Sequence, residues 1–364
     1  MKTKRYSYLL LMGHISTDIN QGALPALLPF LIAEHGFSIA SAAGLIFASN
    51  LVSSIVQPVF GHLGDKIEKP QLMCLGMLLA SGGISLMGFM DSYWAMFFCA
   101  MGGGVGVALF HPEASKLAAH VSGENKGEGM SLFAVGGNSG FAVGPMVCSA
   151  LMLAFGIHGT AAFIIIGVVT AAILMAKVKV IQSAAHEQKE IALAAQSGEQ
   201  RDDWPSFMKV AMAMFCRSIV GTCLNTFIPL FWVYVLVQSA ASGNVQLTIY
   251  SATGAVATLV GGRLADRIGF KRVVMICSIA AVPLLFALAM TRSTLVGGIL
   301  IVLTGVFLNG CHSTFVVMGQ GFLPNRLGLA SGVLYGLTVS VGGMAAPGVG
   351  AIADHAGVPA AMLT

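Results

Sequence analysis

The chain has 364 residues, of which 56% are hydrophobic and only 9% are charged, and its mean hydropathy is +0.84. Soluble domains carry about a quarter charged residues, so this composition excludes one large soluble core. The formal net charge of +4 does not indicate a nucleic-acid partner, because the basic residues lie between apolar runs rather than in one patch. The composition is that of a polytopic α-helical membrane protein.

Apolar runs of membrane-spanning length recur along the chain. A bilayer core about 30 Å thick needs about 20 apolar residues of helix, and continuous rather than alternating runs exclude a transmembrane barrel. The breaks between the runs predict eleven spans, at about 7–33, 40–63, 71–90, 93–117, 128–155, 158–178, 206–236, 245–265, 271–290, 294–318 and 328–353. No small-residue cleavage site follows the first apolar residues, so we expect the first span to be retained.

The basic residues predict the orientation of these spans. If the N-terminus is cytoplasmic, the cytoplasmic loops and span ends hold every Lys and Arg except Arg217, which falls within a span, and Arg292. Cytoplasmic loops of membrane proteins carry such an excess of basic residues. We therefore expect a multi-pass protein with its N-terminus inside the cell.

The chain divides into two blocks around one polar segment. Residues 179–205 contain no apolar window of membrane length, which predicts a cytoplasmic linker between an N-terminal six-helix bundle at 1–178 and a C-terminal helical bundle at 206–364. Several features recur at an offset of about 200 residues: GHLGDK (61–66) with GRLADR (262–267), Pro29 with Pro229, and His111 with His312. Internal repeats of this kind are typical of transporters.

The repeated loop resembles the signature loop of the major facilitator superfamily. GRLADRIGFKR (262–272) is the fuller match, whereas GHLGDKIEKP (61–70) departs from the pattern after Lys66. GGNSGFAVGP (136–145) is similar to the Gly-Pro motif of the antiporter branches, and together with FHPEAS (110–115) it looks most like the fosmidomycin-resistance group of efflux proteins. The resemblance implies an all-α major facilitator fold of two pseudo-repeated bundles in a bacterial cytoplasmic (inner) membrane, with spans 1, 4, 7 and 10 lining a central cavity.

The family has twelve spans, whereas six and five are found in the two blocks here. The chain stops at HAGVPAAMLT, where a twelfth span would begin. Either the sequence is truncated or the last helix is missing, and we favour truncation because a five-span block would leave one face of the eleventh span exposed to lipid.

The resemblance implies gating roles for the two signature loops. Asp65 and Asp266, with the adjacent cations, are expected to hold the cytoplasmic helix ends together in one conformation through helix-terminus and ion-pair contacts. The adjacent cations are Lys66, Arg263 and Arg267. The alternative is that these charges only mark the topology.

The fifth span carries a second gating candidate. Gly136, Gly140 and Gly144 repeat at a small-residue spacing that lets two helices approach closely, and Pro145 is expected to loosen the helix. Tight packing and a rocking interface are both consistent with this pattern.

Ionisable residues inside the spans are the strongest functional signal, because a charge buried in hydrocarbon is costly and usually functional. When residues at the span ends are set aside, they are His14, Asp18, His111, Glu113, Arg217 and His312, and all six fall on spans 1, 4, 7 and 10. At 1.5 Å per residue, Asp18 and Arg217 each lie about 17 Å into their spans, near the midplane. The other candidates on spans 4 and 10 are expected nearer the cytoplasm.

These depths suggest roles in proton coupling. Asp18 is the candidate for proton uptake and release, and His14 shares its helix face and can relay the proton. Glu113 is either a gate or second proton site, or an ion-pair partner of Lys116. Arg217 is the candidate for anion contact and for pairing with Asp18 when the cavity is empty, with a static Asp18–Arg217 pair as the alternative.

The remaining polar candidates are assigned to substrate binding. They are His111, His312, Asn20 and Gln21, for which hydrogen bonding between helices is the alternative. His14, His111 and His312 come from three helices, so the sequence predicts no tight metal-binding cluster. No G-x-x-x-x-G-K-S/T loop for ATP occurs, and we expect no metal or other cofactor.

The sequence thus predicts a transporter rather than an enzyme. We expect proton-coupled efflux of a small, anionic drug-like compound such as a phosphonate, by a monomer whose partners are this substrate, protons and the lipid bilayer. Proton-coupled uptake of an organic anion or sugar is the first alternative, because the fold does not fix the direction. A membrane-embedded enzyme or receptor is the second, although no nucleophile–base–orienter set is recognisable.

Overall fold

A computed structural model describes residues 2–37, 39–67, 69–123, 125–194, 201–238, 240–337, 352 and 355–363. Within these ranges every regular element is helical, which confirms the all-α fold class. Six stretches of the described residues are long and apolar enough to cross a membrane: Gly44–Ile67, Tyr93–Val121, Lys126–Ile191, Trp204–Asn225, Phe270–Met290 and Thr294–Phe322. The Gln71–Met87 helix is apolar but shorter.

The described residues form thirteen α-helices, one 3₁₀ helix and one π-helical segment. In chain order they are α1 (Lys2–His35), α2 (Ile39–Ile67), α3 (Gln71–Met87), α4 (Tyr93–Val121), α5 (Lys126–Phe155), a 3₁₀ helix (Gly156–Ala161), α6 (Ala162–Ala194), α7 (Trp204–Tyr234), α8 (Ala240–Ile268), α9 (Phe270–Met290), α10 (Thr294–Gly310), α11 (His312–Phe322), α12 (Leu327–Ser331), a π-helical segment (Gly332–Leu337) and α13 (Val358–Leu363).

Two helices depart from the predicted spans. The tenth span, predicted at 294–318, is interrupted at Cys311, where α10 ends and α11 begins. Helix α6 continues to Ala194, into the segment predicted as a linker, since Ala, Glu, Gln and Lys residues favour helix there. Of the predicted eleventh span, 328–353, the residues 328–337 and 352 lie within the described part of the chain.

The chain forms two compact units. Unit 1 comprises Met1–Asp202 and Leu323–Leu337, and unit 2 comprises Asp203–Phe322 and Thr338–Thr364. Helix α12 and the π-helical segment therefore pack with unit 1, although they follow unit 2 in the chain. Gly332 makes this packing close, because an added Cβ there would lie 2.6 Å from the carbonyl oxygen of Gln57 on α2.

Unit 1 is held together by an apolar core and by close backbone contact between α1 and α5. The core includes Leu27, Leu31 and Phe163, all fully buried. A Cβ added to Gly140 on α5 would lie 2.7 Å from the carbonyl oxygen of Ile15 on α1, and a Cβ at Gly144 would meet the carbonyl oxygen of Ile19. The predicted close-packing face of the fifth span is thus present.

Unit 2 has its own core around aromatic side chains of α7. Phe231 and Trp232 are almost fully buried against Leu288 and Ile301, and Val358 of α13 packs on the same cluster. Helix α7 begins at an N-cap, where Asp203 Oδ1 accepts a hydrogen bond from the Ser206 amide at 3.0 Å. Hydrogen bonding to Ser206 also holds the pKa of the Asp203 carboxyl below its usual value.

The α1–α5 contact predicts a destabilising substitution. Gly140→Ala places a methyl group against the backbone of α1, which cannot move away as a flexible side chain would. We expect the free energy of unfolding to fall by about 1–3 kcal/mol, as is usual for overpacking, and the thermal midpoint of the detergent-purified protein to fall with it. Gly102→Ala in α4 is the matched control, because an added Cβ there meets nothing within 4 Å. Equal midpoints for the two variants would contradict the close packing.

Candidate functional site

His14, Asp18 and His111 form one buried cluster in unit 1, called here the triad. His14 and Asp18 lie one turn apart on α1, and His111 lies on α4. His14 Nε2 is 3.1 Å from His111 Nε2 and 3.2 Å from Asp18 Oδ2, while His111 Nε2 is 3.3 Å from Asp18 Oδ1. The three residues are at most 5% exposed, so their mutual contacts replace contacts with water.

Backbone carbonyls fix the orientation of both imidazole rings in the triad. His14 Nδ1 lies 2.6 Å from the carbonyl oxygen of Phe133, and His111 Nδ1 lies 3.0 Å from that of Val107. A carbonyl oxygen only accepts hydrogen bonds, so both Nδ1 atoms carry a proton. In two neutral rings both Nε2 atoms would then present lone pairs to each other and to a carboxylate. The triad therefore requires at least one additional proton or another cation.

The surroundings of the triad are mostly apolar. The ring of His14 stacks on that of Phe133, with 4.1 Å between centroids, and the ring of Tyr335 lies 6.2 Å from that of His111. Gln21 donates a hydrogen bond to Asp18 Oδ1 at 2.8 Å. On the α5 side stands Gly137, where an added Cβ would lie 2.7 Å from His14 Nε2 and 2.8 Å from Asp18 Oδ2.

One expectation about the triad was wrong. The sequence predicted no tight metal-binding cluster, yet His111 contacts Asp18 directly and the ligand atoms of all three residues lie within 4.8 Å of one another. The expected position of His111 nearer the cytoplasm than Asp18 stays a prediction. Counting residues along separate helices ignores the offset between the helices and the reach of an imidazole. His14 and Asp18 share one face of α1 and are in contact, as the sequence predicted.

Glu113 is engaged in an ion pair with Lys116. Lys116 Nζ lies 2.7 Å from Glu113 Oε1 and also donates to the carbonyl oxygen of Gly64 at 2.8 Å. The geometry thus corresponds to the ion-pair alternative of the sequence analysis. A role of Glu113 as a second proton site stays a prediction.

Asn20 connects α1 to α3. Its amide donates to Ser81 Oγ at 3.2 Å and to the carbonyl oxygen of Ser16 at 2.9 Å. This arrangement corresponds to hydrogen bonding between helices, and the substrate-binding roles of Asn20 and Gln21 stay predictions.

A second polar cluster surrounds Arg217 in unit 2. Its Nε donates to the carbonyl oxygen of Leu308 at 2.8 Å, its Nη2 donates to Asn309 Oδ1 at 3.1 Å, and its Nη1 lies 3.2 Å from His312 Nδ1. The helix break at Cys311 brings these groups together at the end of α10 and the start of α11. These three hydrogen-bond partners, a backbone carbonyl, an amide oxygen and an imidazole nitrogen that accepts, carry no negative charge. They therefore orient the guanidinium without neutralising its positive charge.

The sequence did not single out Asn309 as a member of this cluster. Its Oδ1 accepts a hydrogen bond from Arg217 and so orients the guanidinium. The signal for Asn309 was an amide in an otherwise apolar span, three residues before His312. The predicted pairing of Asp18 with Arg217 and the substrate contacts of Arg217 and His312 stay predictions.

Asp65 caps the start of α12 within unit 1. Its Oδ1 accepts from the Gly328 amide at 2.8 Å and its Oδ2 from the Leu329 amide at 3.0 Å. This is a helix-terminus contact of the kind that the family resemblance implied for the signature loop. The gating roles remain predictions for this loop and for the other gating candidates, which are Lys66, Arg263, Asp266, Arg267, Gly140, Gly144 and Pro145.

The Asp65 cap predicts a local change in hydrogen exchange. Asp65→Ala removes the acceptor of the Gly328 and Leu329 amides, so we expect these two amides to exchange faster by about 5-fold or more, for a loss of about 1 kcal/mol. Hydrogen–deuterium exchange of peptides covering 325–337 measures this. Lys66→Ala is the control, because Lys66 is the exposed neighbour of Asp65. Unchanged exchange in the Asp65 variant would show that the cap does not order α12.

Known proteins resemble the chain over most of its length. The family model of the Major Facilitator Superfamily matches residues 10–347. The Fosmidomycin resistance protein of Escherichia coli (strain K12) is 27% identical over 352 residues, covering 95% of this chain and 86% of the relative. The uncharacterized MFS-type transporter YfnC of Bacillus subtilis (strain 168) is 28% identical over 376 residues, covering 99% and 90%. The crystal structure of the human organic anion transporter MFSD10 has a similar fold, with a TM-score of 0.77 and 16% identity over 100% of this chain and 96% of the other.

Proposed function

The chain belongs to the Major Facilitator Superfamily, and we propose that it exports a small, anionic drug-like compound, such as a phosphonate, in exchange for protons. Family membership confirms the resemblance predicted from the loop motifs. Efflux is supported by the similarity to the Fosmidomycin resistance protein along 95% of the chain. Proton coupling is supported by one observation above all, the buried triad of His14, Asp18 and His111, which needs a bound cation to be stable.

The charge balance of the triad makes it suitable for carrying a proton. With one additional proton, an imidazolium and the Asp18 carboxylate cancel, so the buried cluster is neutral overall. Without that proton a negative charge stays in an apolar site and two Nε2 lone pairs face each other at 3.1 Å, which is costly. We propose that loss of the proton drives His111 on α4 away from α1, so that proton release is linked to a change in helix packing.

This proposal reassigns His111. The sequence analysis placed it with the substrate-binding residues, but its contacts with Asp18 and His14 group it with the coupling residues. Proton coupling then involves both α1 and α4, which is what linking protonation to helix movement requires.

Arg217 is the proposed contact for an anionic substrate. Its guanidinium is held by uncharged groups of α10 and α11, so its charge is available to attract an anion. Guanidinium groups recognise carboxylate and phosphate-like groups through paired hydrogen bonds. His312 accepts from Arg217 at Nδ1, which orients the charged group while the substrate is absent.

Orientation and location complete the proposal. The placement of basic residues along the sequence supports a cytoplasmic N-terminus in a bacterial inner membrane, and we propose a monomer as the working unit. The Asp65 contact with the start of α12 is proposed to stabilise one conformation of the transport cycle.

Substitution of Asp18 tests the coupling. Asp18→Asn keeps the shape of the side chain but removes the charge that stabilises a protonated imidazole. Hydrogen bonds to charged groups contribute about 1.5–3 kcal/mol, so we expect efflux driven by a pH gradient to fall at least about 10-fold. Transport of fosmidomycin by the full-length protein in liposomes with an imposed pH gradient measures this. His158→Gln, outside the triad, is the control, and an Asp18→Asn protein that retains gradient-driven transport would contradict the assignment.

Substitution of Arg217 tests anion binding. We expect Arg217→Ala to weaken fosmidomycin binding at least about 10-fold, because a charge-assisted hydrogen-bond donor is lost. Arg217→Lys keeps the positive charge, so we expect it to retain part of the binding affinity. Arg292→Ala removes an exposed arginine and is the charge-matched control. Normal transport of an anion by Arg217→Ala would show that the guanidinium is not the binding group.

The direction of transport is tested in cells. Expression of the full-length protein in a fosmidomycin-sensitive strain is expected to raise resistance. Increased sensitivity would instead favour uptake, the first alternative.

A further inference from the structure

We propose that the triad of His14, Asp18 and His111 is a binding site for a divalent transition-metal cation of the Zn²⁺ class. The proposal rests on the arrangement of the donor atoms and of their hydrogen-bond partners. It does not depend on the proposed transport function, since binding is measured on the isolated protein.

The spacing of the donor atoms fits a zinc ion. Zn²⁺ binds imidazole nitrogen and carboxylate oxygen at about 2.0–2.1 Å, so two ligands of a tetrahedral site are about 3.3 Å apart. The separations in the triad are 3.1 Å between the two Nε2 atoms, 3.2 Å from His14 Nε2 to Asp18 Oδ2 and 3.3 Å from His111 Nε2 to Asp18 Oδ1. The two distances to Asp18 end at different carboxylate oxygens, and with one donor atom from each residue the three donors lie within 4.8 Å of one another. A small rotation of the carboxylate therefore brings three ligand atoms onto one face of a tetrahedron.

The hydrogen bonds around the triad prepare both imidazoles to act as ligands at the same time. Ligating histidines almost always donate the other ring N–H to a carbonyl or carboxylate, which fixes the tautomer. Here the carbonyl of Phe133 accepts from His14 Nδ1 and that of Val107 accepts from His111 Nδ1, so the lone pairs of both Nε2 atoms point into the site. Gln21 likewise orients the Asp18 carboxylate.

The chemistry of the donors selects the class of metal. Two imidazoles and one carboxylate suit Zn²⁺ and the neighbouring first-row divalent ions, whereas Mg²⁺ and Ca²⁺ require several oxygen ligands. A cation bound here also supplies the positive charge that the two facing Nε2 atoms and Asp18 require. Three protein ligands leave a fourth position for an exchangeable ligand, as in open zinc sites.

Zinc binding to cysteine thiols, instead of to the triad, is the alternative that the test must exclude. Cys277 and Cys311 are buried free cysteines of unit 2, and thiolates bind zinc well. The test therefore uses the full-length protein with Cys277→Ser and Cys311→Ser as its background, purified in detergent and freed of metal with a chelator.

Zinc affinity is measured by competition with a chromogenic chelator. We expect one Zn²⁺ per chain, with affinity reduced at least about 10-fold in Asp18→Asn and in His111→Gln. His111→Cys supplies another zinc ligand at the same position and is expected to retain binding. His158→Gln is the control for loss of a histidine outside the triad.

A second variant tests the site without removing a ligand. Gly137→Ala places a methyl group 2.7 Å from His14 Nε2 and 2.8 Å from Asp18 Oδ2, so we expect it to lower zinc affinity while His14, Asp18 and His111 all remain. This variant carries the test if His111→Gln does not fold.

Cobalt provides a spectroscopic measurement of the same site. Co²⁺ bound to the background protein is expected to show the intense visible absorption of four-coordinate cobalt, and His111→Gln is expected to lose this absorption.

Two outcomes would overturn the proposal. The first is a background protein that binds no Zn²⁺, including the case in which the unmodified protein binds zinc but the variant with Cys277→Ser and Cys311→Ser does not. The second is a zinc affinity that is unchanged in Asp18→Asn, His111→Gln and Gly137→Ala. If Asp18→Asn abolishes proton-driven efflux but the background protein binds no Zn²⁺, the transport proposal stands and the metal proposal fails. If zinc binding depends on the triad but gradient-driven efflux does not, the metal proposal stands and the proton-coupling proposal fails.

Discussion

The contact on which the rest of unit 1 depends is the close approach of α1 to α5. The glycines of α5 let the two backbones approach without intervening side chains, and this brings the carbonyl oxygen of Phe133 within 2.6 Å of His14 Nδ1. That hydrogen bond turns the opposite nitrogen of the ring toward Asp18 and His111. The glycines of α5 thereby fix the orientation of the His14 ring on α1. This contact explains how the apolar first helix accommodates an imidazole and a carboxylate one turn apart.

The repeated histidines of the two units have acquired opposite surroundings. His111 on α4 meets a carboxylate and a second imidazole, whereas His312, its counterpart in the repeat, meets the guanidinium of Arg217. We propose that the first environment binds a cation, whereas the second already contains the positive charge of Arg217 and is the proposed contact for an anion. The two positions are similar in sequence, and their local partners differ in charge.

Much of this architecture could be predicted from the sequence. Hydropathy predicted the helices, since burial in a bilayer demands long apolar runs, and the cost of buried charge singled out His14, Asp18, His111 and Arg217. What could not be predicted was which of these groups meet. His111 was assigned to the substrate because residue counting gives depth along one helix but not the offset between two helices, and Asn309 was missed because a single amide in a span has no distinctive pattern.

Helix α1 makes two kinds of contact, the glycine packing against α5 and the polar triad, and they differ in how they respond to helix movement. Glycine faces pack backbone against backbone and lack interlocking side chains, so they place few steric barriers in the way of sliding. The triad is specific instead, because its three groups are stable together only with a bound cation. The glycine contact joins α1 to α5, whereas the triad joins α1 to α4 through His111. Under the proposal, loss of the bound cation weakens the α1–α4 contact and leaves the α1–α5 contact in place, so the occupancy of the triad and the packing of α4 on α1 change together.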